Sequence, residues 1–231
     1  MNDINRRRFL KRAGITAGVG LAGIAGTAAS SRAANLQIHG RVQKTNKKPA
    51  RRDFVGVAGR NLRVNYIETN DGGVFDLELN QPRNVAVGYY QMTPNARRIP
   101  SPKQDGSPDI YYLQCCVDVS NRPVNLGTFQ LPEAYLLQVL ATDEAGSPIE
   151  DARVRVVQRR FGGGWGSGTH TTNSSGLLQY ADADHPGTEL VGDVLVQVSP
   201  PADDGHFVDR TYEREIELQE PRTETFVLEK R

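Results

Sequence analysis

Val139-Leu-Ala-Thr-Asp-Glu-Ala-Gly-Ser-Pro-Ile-Glu-Asp-Ala-Arg-Val-Arg-Val156, followed by Thr171-Thr-Asn-Ser-Ser-Gly-Leu177, reads as strand, turn, strand, turn, strand. Gly146-Ser-Pro148 reverses the chain, since proline presets φ and glycine tolerates a turn. Arg153-Val-Arg-Val156 then alternates polar with apolar, the period of a half-buried strand. Ala152 is small enough for close packing, and Gly176 suits a turn that needs positive φ.

The same grammar extends in both directions. Short alternating runs are broken by turn residues, and no stretch of a dozen shows helical periodicity. Strands are expected at 36–43, 60–69, 74–79, 84–91, 110–119, 126–131, 135–143, 152–160, 169–172, 177–181, 193–199, 211–219 and 223–229. The fold class expected is all-β, with the strands folded as sandwiches. Thr93–Asp109, rich in proline and charge, is long for a connection and reads as a functional excursion or a flap.

An internal repeat places a boundary near Pro132-Glu133. Leu62-Arg-Val-Asn-Tyr66 matches Val154-Arg-Val-Val157, Thr69-Asn-Asp-Gly72 matches Thr172-Asn-Ser-Ser-Gly176, and Leu126-Gly-Thr-Phe-Gln-Leu131 matches Glu224-Thr-Phe-Val-Leu228. The organisation expected is a signal segment over 1–34 and two tandem modules over 35–132 and 133–231.

With Asp143, Gly146, Pro148, Ile149, Ala152, Val154, Val156, Thr172 and Gly176 in place, the second module resembles the carboxypeptidase regulatory-like family. That resemblance implies a transthyretin-like or Ig-like β-sandwich, and it covers 134–229 more fully than 36–132. In the first half Lys44-Thr-Asn-Lys-Lys-Pro49 and a longer stretch replace the family's turn. Modules of this family serve as spacers, adhesive or carbohydrate-contacting domains and enzyme appendages, so fold leaves function open.

The opening residues Asn5-Arg-Arg-Arg-Phe-Leu-Lys11 precede a small-residue, weakly apolar run from Ala13 to Ala29. This resembles a twin-arginine signal peptide, with Arg6 and Arg7 as the pair and Phe9, Leu10 and Lys11 completing the motif. It implies the Tat translocase as a partner during export and a periplasmic, cell-surface or extracellular destination. Cleavage fits Ser31-Arg32-Ala33 or Thr27-Ala28-Ala29. The alternative is an uncleaved anchor, since 13–29 is barely long enough to span a bilayer.

Met1–Ala34 holds six of the 28 basic residues and one of the 27 acidic ones, so the remainder is mildly acidic, near −4. A body without a basic block offers no electrostatic footprint for nucleic acid or an anionic membrane surface. The partners expected are an envelope protein or a glycan.

Catalytic patterns are missing from the sequence. A transthyretin-like sandwich also underlies intradiol dioxygenases, which need a His-x-His pair with two tyrosines for iron. His39, His170, His185 and His206 include no such pair. Asp182, Asp184 and His185, with Asp203, Asp204 and His206, carry metal-ligand chemistry but read as turn residues. No Gly-x-Ser-x-Gly occurs, and the glycines of Phe161–Gly168 do not match a phosphate-binding loop. Neither catalysis, a cofactor nor a metal is expected. Trp165, the single tryptophan, is the candidate ligand contact: exposed on a hairpin tip for stacking, or folded back over the sandwich edge.

Cys115 and Cys116 are adjacent in an expected strand, where neighbours point to opposite faces. One buried and one half-exposed thiol is the plain reading, with a vicinal or an intermolecular disulfide as alternatives. Tyr89-Tyr90 and Tyr111-Tyr112 are expected to put one ring of each pair into a core. Asn173-Ser-Ser175 is formally a glycosylation acceptor.

Overall fold

A computed structural model describes residues 36–59, 62–80, 83–91, 105–120, 122–179, 187–202 and 205–231. The targeting motif Arg6, Arg7, Phe9, Leu10 and Lys11 lies outside them, as do most of the 93–109 excursion and the acids Asp182, Asp184, Asp203 and Asp204 with His185.

The chain is all-β. Its strands are β1 (Gln37–Gln43), β2 (Phe54–Gly59), β3 (Leu62–Glu68), β4 (Val74–Glu78), β5 (Arg83–Tyr90), β6 (Ile110–Val119), β7 (Val124–Gln130), β8 (Tyr135–Thr142), β9 (Arg153–Arg160), β10 (Gly163–Thr172), β11 (Leu178–Gln179), β12 (Thr188–Leu190), β13 (Gly192–Ser199), β14 (Tyr212–Leu218) and β15 (Arg222–Val227). They form sheets ordered β4-β1-β7 and β3-β2-β5-β6 in the first half, and β12-β8-β15 and β11-β10-β9-β13-β14 in the second. Ala34–Arg231 is one compact unit.

The halves repeat one scheme. In each, the opening strand pairs in parallel with the closing strand, β1 with β7 and β8 with β15. The order β3-β2-β5-β6 recurs as β10-β9-β13-β14. The turn after the first strand recurs bond for bond: Lys44 N to Lys48 O, Lys47 N to Lys44 O and Ala50 N to Val42 O match Asp143 N to Ser147 O, Gly146 N to Asp143 O and Ile149 N to Ala141 O. Lys47 and Gly146 both have positive φ, 64° and 81°. No longer stretch therefore replaces the family-like turn in the first half: Lys44 stands where Asp143 stands, Pro49 where Pro148 stands and Asp53 where Ala152 stands.

A second corner is also shared. Thr69 Oγ1 accepts from Asp53 N and donates to the carbonyl of Ala50, as Thr172 Oγ1 accepts from Ala152 N and donates to that of Ile149. Asn70 Oδ1 takes Gly72 N and Val74 N, and Asn173 Oδ1 takes Ser175 N and Leu177 N. Gly73 (φ 72°) and Gly176 (φ 73°) then let Val42 N and Ala141 N reach their carbonyls. The glycine equivalent to Gly176 is thus Gly73, not Gly72, and the strand equivalent to β9 is β2, not the run Leu62–Tyr66.

Two strands were not expected. β2 reads Phe-Val-Gly-Val-Ala-Gly, and its glycines suggest turns; β12 is only three residues long. The 161–168 segment is no loop, since Phe161-Gly162 is a tight turn and β10 begins at Gly163.

Two hydrophobic clusters result among the described residues. One gathers Ile38, Val42, Val55, Val57, Phe75, Val85, Val87 and Tyr89 within the first half. The other gathers Leu137, Val139, Val154, Val156, Leu178, Val196 and Phe226, and it also takes in Tyr90, Ile110 and Tyr112 from the first half. The face of β2-β5-β6 that points away from the first core is therefore covered by the second half. That is why Tyr89 and Tyr90 are both buried, at 0% and 6% exposure, where one ring of the pair was expected in a core.

Candidate functional site

The candidate features cluster where the two halves meet. β9 and β10 form a hairpin whose end closes over β5 and β6 of the first half. Its key side chain is Trp165, which is 4% exposed. The indole packs beside Tyr90 and Tyr112, with ring centroids 5.5 and 5.9 Å away, and Tyr66 meets Tyr90 edge-on at 5.4 Å. Tyr90 donates its hydroxyl hydrogen to Gly166 O at 3.1 Å. Burial raises the Tyr66 and Tyr90 phenols above their ordinary range, so both hydroxyls keep their protons.

This corrects one of the two sequence readings of Trp165. The ring is not offered on a tip for ligand stacking, because β10 starts early and alternation turns the side chain inward onto the first half. Gly88 and Gly56 make room: an ideal Cβ on Gly88 would lie 1.8 Å from Trp165 Cε2, and one on Gly56 would lie 2.7 Å from Tyr66 Cδ1. Burying a ring of this size contributes about 5 kcal/mol in gross transfer free energy.

Polar contacts fasten the same hairpin. Gln158 Oε1 accepts from Tyr112 N at 2.9 Å, and Arg160 Nη1 donates to Tyr112 O at 3.1 Å. The Arg160 guanidinium also lies 4.9 Å from the Tyr111 ring and 4.5 Å from the Phe161 ring. The clasp thus has an inner anchor, Trp165, and an outer one, Arg160.

At the hairpin's tip Phe161 is 51% exposed with φ 55°, and Gly162 follows at φ 71°. A two-residue turn with both φ positive favours Asn-Gly, so a bulky exposed phenylalanine there is locally unfavourable. Beside it runs a groove of about 440 Å³, lined among others by Arg159, Asp193, Glu215 and Glu217. Phe161, not Trp165, is the exposed aromatic side chain of this hairpin, and the Phe161-Gly162 pair marks its turn in the sequence.

A buried charge cluster lies on another side of the junction. Lys44 Nζ donates to Tyr89 OH at 2.7 Å and sits 3.0 Å from Asp53 Oδ2 and 3.3 Å from Asp105 Oδ2; Tyr89 OH donates to Asp53 Oδ2 at 2.9 Å. Burial, reinforced by Asp53, pushes the Tyr89 phenol up, so it remains a donor. Asp109 is fully buried; its Oδ2 accepts from Thr188 Oγ1 at 2.9 Å and from Glu189 N at 2.7 Å. Burial raises this carboxyl to about 7, against those two hydrogen bonds. The cluster ties the end of β1, the start of β2 and the 105–109 segment to β12.

Among the described residues no three His, Cys, Asp or Glu side chains converge as metal ligands. His39 pairs with Asp76 at the surface, 3.7 Å apart, and burial lowers His170 to about 4. No described helix is long and apolar enough to cross a membrane.

No known protein family matches the chain, and no curated protein does. Solved structures similar to it include the Bacillus anthracis TIE protein (13% identity, TM-score 0.35, covering 85% of this chain and 34% of that one). A streptococcal ancillary pilin is similar at 10% identity and TM-score 0.35, covering 87% of this chain and 64% of that one. The shaft pilin spaA from Lactobacillus rhamnosus GG is similar at 9% identity and TM-score 0.32, covering 86% of this chain and 98% of that one. The chain spans about a third of the first of these structures and under two thirds of the second.

Proposed function

We propose that this chain is an exported, non-catalytic structural protein of the cell envelope or exterior. Two β-sandwich modules, 35–132 and 133–231, are held as one rigid body, and the Phe161 tip is presented to an envelope protein or glycan. The observation that carries this reading is the clasp itself. A hairpin that spends its tryptophan on fixing two modules together makes a rigid spacer, whereas an enzyme cleft between modules needs an opening. The leader resemblance at Arg6, Arg7, Phe9, Leu10 and Lys11 supports Tat-dependent export. The sandwich with a family-like turn at Asp143–Pro148 supports an adhesive or scaffolding role.

Phe161 supports the position of the contact. Its exposure and positive φ are both unfavourable to the isolated fold, and such positions cluster at functional surfaces. The test is saturable binding of the labelled mature protein to envelopes isolated from its own host, compared with a Phe161→Asn variant that keeps the turn. The expected result is binding by the parent and at least a tenfold weaker affinity for the variant. Equal binding by both places the contact elsewhere. Failure of both to bind, with turnover in a hydrolase and oxygenase screen, overturns the structural role.

A further inference from the structure

β6 carries a bulge at its two cysteines. Val117 pairs with Val85 and Gln114 with Val87, so Ala86 alone stands opposite both Cys115 and Cys116. The extra residue is accommodated by Cys116 at φ 57°, a left-handed conformation uncommon outside glycine, asparagine and aspartate. In a regular strand the two side chains would point to opposite faces. Here the bulge turns them together, and the sulfurs lie 3.0 Å apart as free thiols. Cys116 is exposed and Cys115 half-buried, with Cys115 packed against the second hydrophobic cluster.

We propose that Cys115 and Cys116 are a modification site that closes to a reversible vicinal disulfide by exchange with a disulfide-bearing oxidant. The exposed Cys116 thiolate attacks one sulfur of the oxidant; a sulfur–sulfur bond forms to Cys116, and the other half of the oxidant leaves as a thiolate. Cys115 then gives its proton to solvent and attacks Cys116 Sγ, displacing the remaining half. Two electrons pass from the cysteine pair to the oxidant, and the two protons that Cys116 and Cys115 release to solvent are taken up by its two leaving thiolates, which end as thiols.

The order of attack follows from the site. Cys116 is open to a bulky oxidant, while the hydrogen bond to Cys116 holds the Cys115 proton above the ordinary thiol range until exchange has begun. The bulge supplies the proximity that an adjacent pair in an extended chain lacks. Ring closure would fix the bulge three residues from Tyr112, the residue that the clasp grips through Gln158, Arg160 and Trp165. The oxidised site would then fix the pairing of β6 with β5 from Gln114 to Val117, next to a second bulge at Leu113 that leads into Tyr112.

The test is treatment of the folded, reduced protein with oxidised glutathione, followed by thiol alkylation and intact mass measurement. The same treatment is given to the chain in strong denaturant and to Cys115→Ser and Cys116→Ser variants. The expected product of the parent is a monomer lighter by two hydrogen atoms, without a glutathione adduct, formed at least about tenfold faster folded than unfolded. Cys115→Ser should instead accumulate a glutathione adduct. A parent that retains glutathione, that dimerises through sulfur, or that closes no faster folded than unfolded overturns the proposal. The folded-to-unfolded comparison of the parent stands even if a serine variant fails to fold.

Discussion

The five-membered ring of the Trp165 indole occupies the space that a side chain on Gly88 would need, with Cε2 only 1.8 Å from the ideal Cβ position. Two residues 77 positions apart are therefore one fitted contact, and it is the inner anchor of the clasp.

Gly88→Ala should expel the ring. The displaced atoms belong to a buried, rigid side chain flanked by Tyr90 and Tyr112, so the clash is not relieved by a small rotation. The expected loss is about 2–4 kcal/mol of unfolding free energy, read by urea denaturation. Trp165→Ala should cost about 3–5 kcal/mol. In the double variant the second change should add little, because the methyl group then enters the cavity left by the ring.

The repeated corners give a paired prediction. A Cβ on Gly73 would meet Val42 O at 2.3 Å, and one on Gly176 would meet Ala141 O at 2.5 Å, both backbone atoms, at positive φ in each case. Gly73→Ala and Gly176→Ala should each cost more than about 2 kcal/mol. Gly146→Ala, with positive φ but nothing within 4 Å, should cost only about 1 kcal/mol. Denaturant midpoints of the three variants check the ranking.

Asp109 makes stability depend on pH. Its folded-state pKa is raised to about 7 by burial, so the folded chain binds this proton more tightly than the unfolded chain does. The stability contributed is fully present below the unfolded value of 3.8 and is lost as pH rises through about 7. Asp109→Asn keeps an oxygen for Thr188 and Glu189 N and removes the titration. Between pH 5 and 8 the parent should lose on the order of 2–3 kcal/mol more than the variant, measured as unfolding free energy against pH.

Phe161→Asn tests the tip as a piece of backbone. Asparagine tolerates positive φ and suits the first position of this turn, so the variant should be as stable as the parent or more stable by up to about 1 kcal/mol. A loss above about 1 kcal/mol would mean that the edge contact with Tyr112, 5.6 Å between centroids, matters more to the fold than the turn geometry does.

How much of this was legible follows from where each residue points. The strand–turn–strand grammar of 139–156 was readable because Gly146, Pro148 and Gly176 act locally. The first half's version was harder: Lys44, Lys47 and Asp53 stand where Asp143, Gly146 and Ala152 stand, and the likeness lies in backbone bonds rather than side chains. β2 was missed because Gly56 and Gly59 look like turn residues, yet Gly56 is small so that Tyr66 can cover it. The clasp left no local signal. Tyr90 and Tyr112 occupy positions on the face opposite the first core, and only the arrival of β10 some 50 to 80 residues later buries them. The bulge at Cys116 was equally hidden, since a one-residue excess in β6 shows only against the partner strand β5.

The single tryptophan makes the central claim directly measurable. Emission from Trp165 and far-ultraviolet circular dichroism should be followed together through a urea titration of the mature protein. If the clasp holds the halves as one body, the emission starts blue-shifted, and its red shift coincides with the loss of sheet signal in a single transition. A red shift completed while the sheet signal is still intact would show that the clasp opens on its own, and would contradict the account.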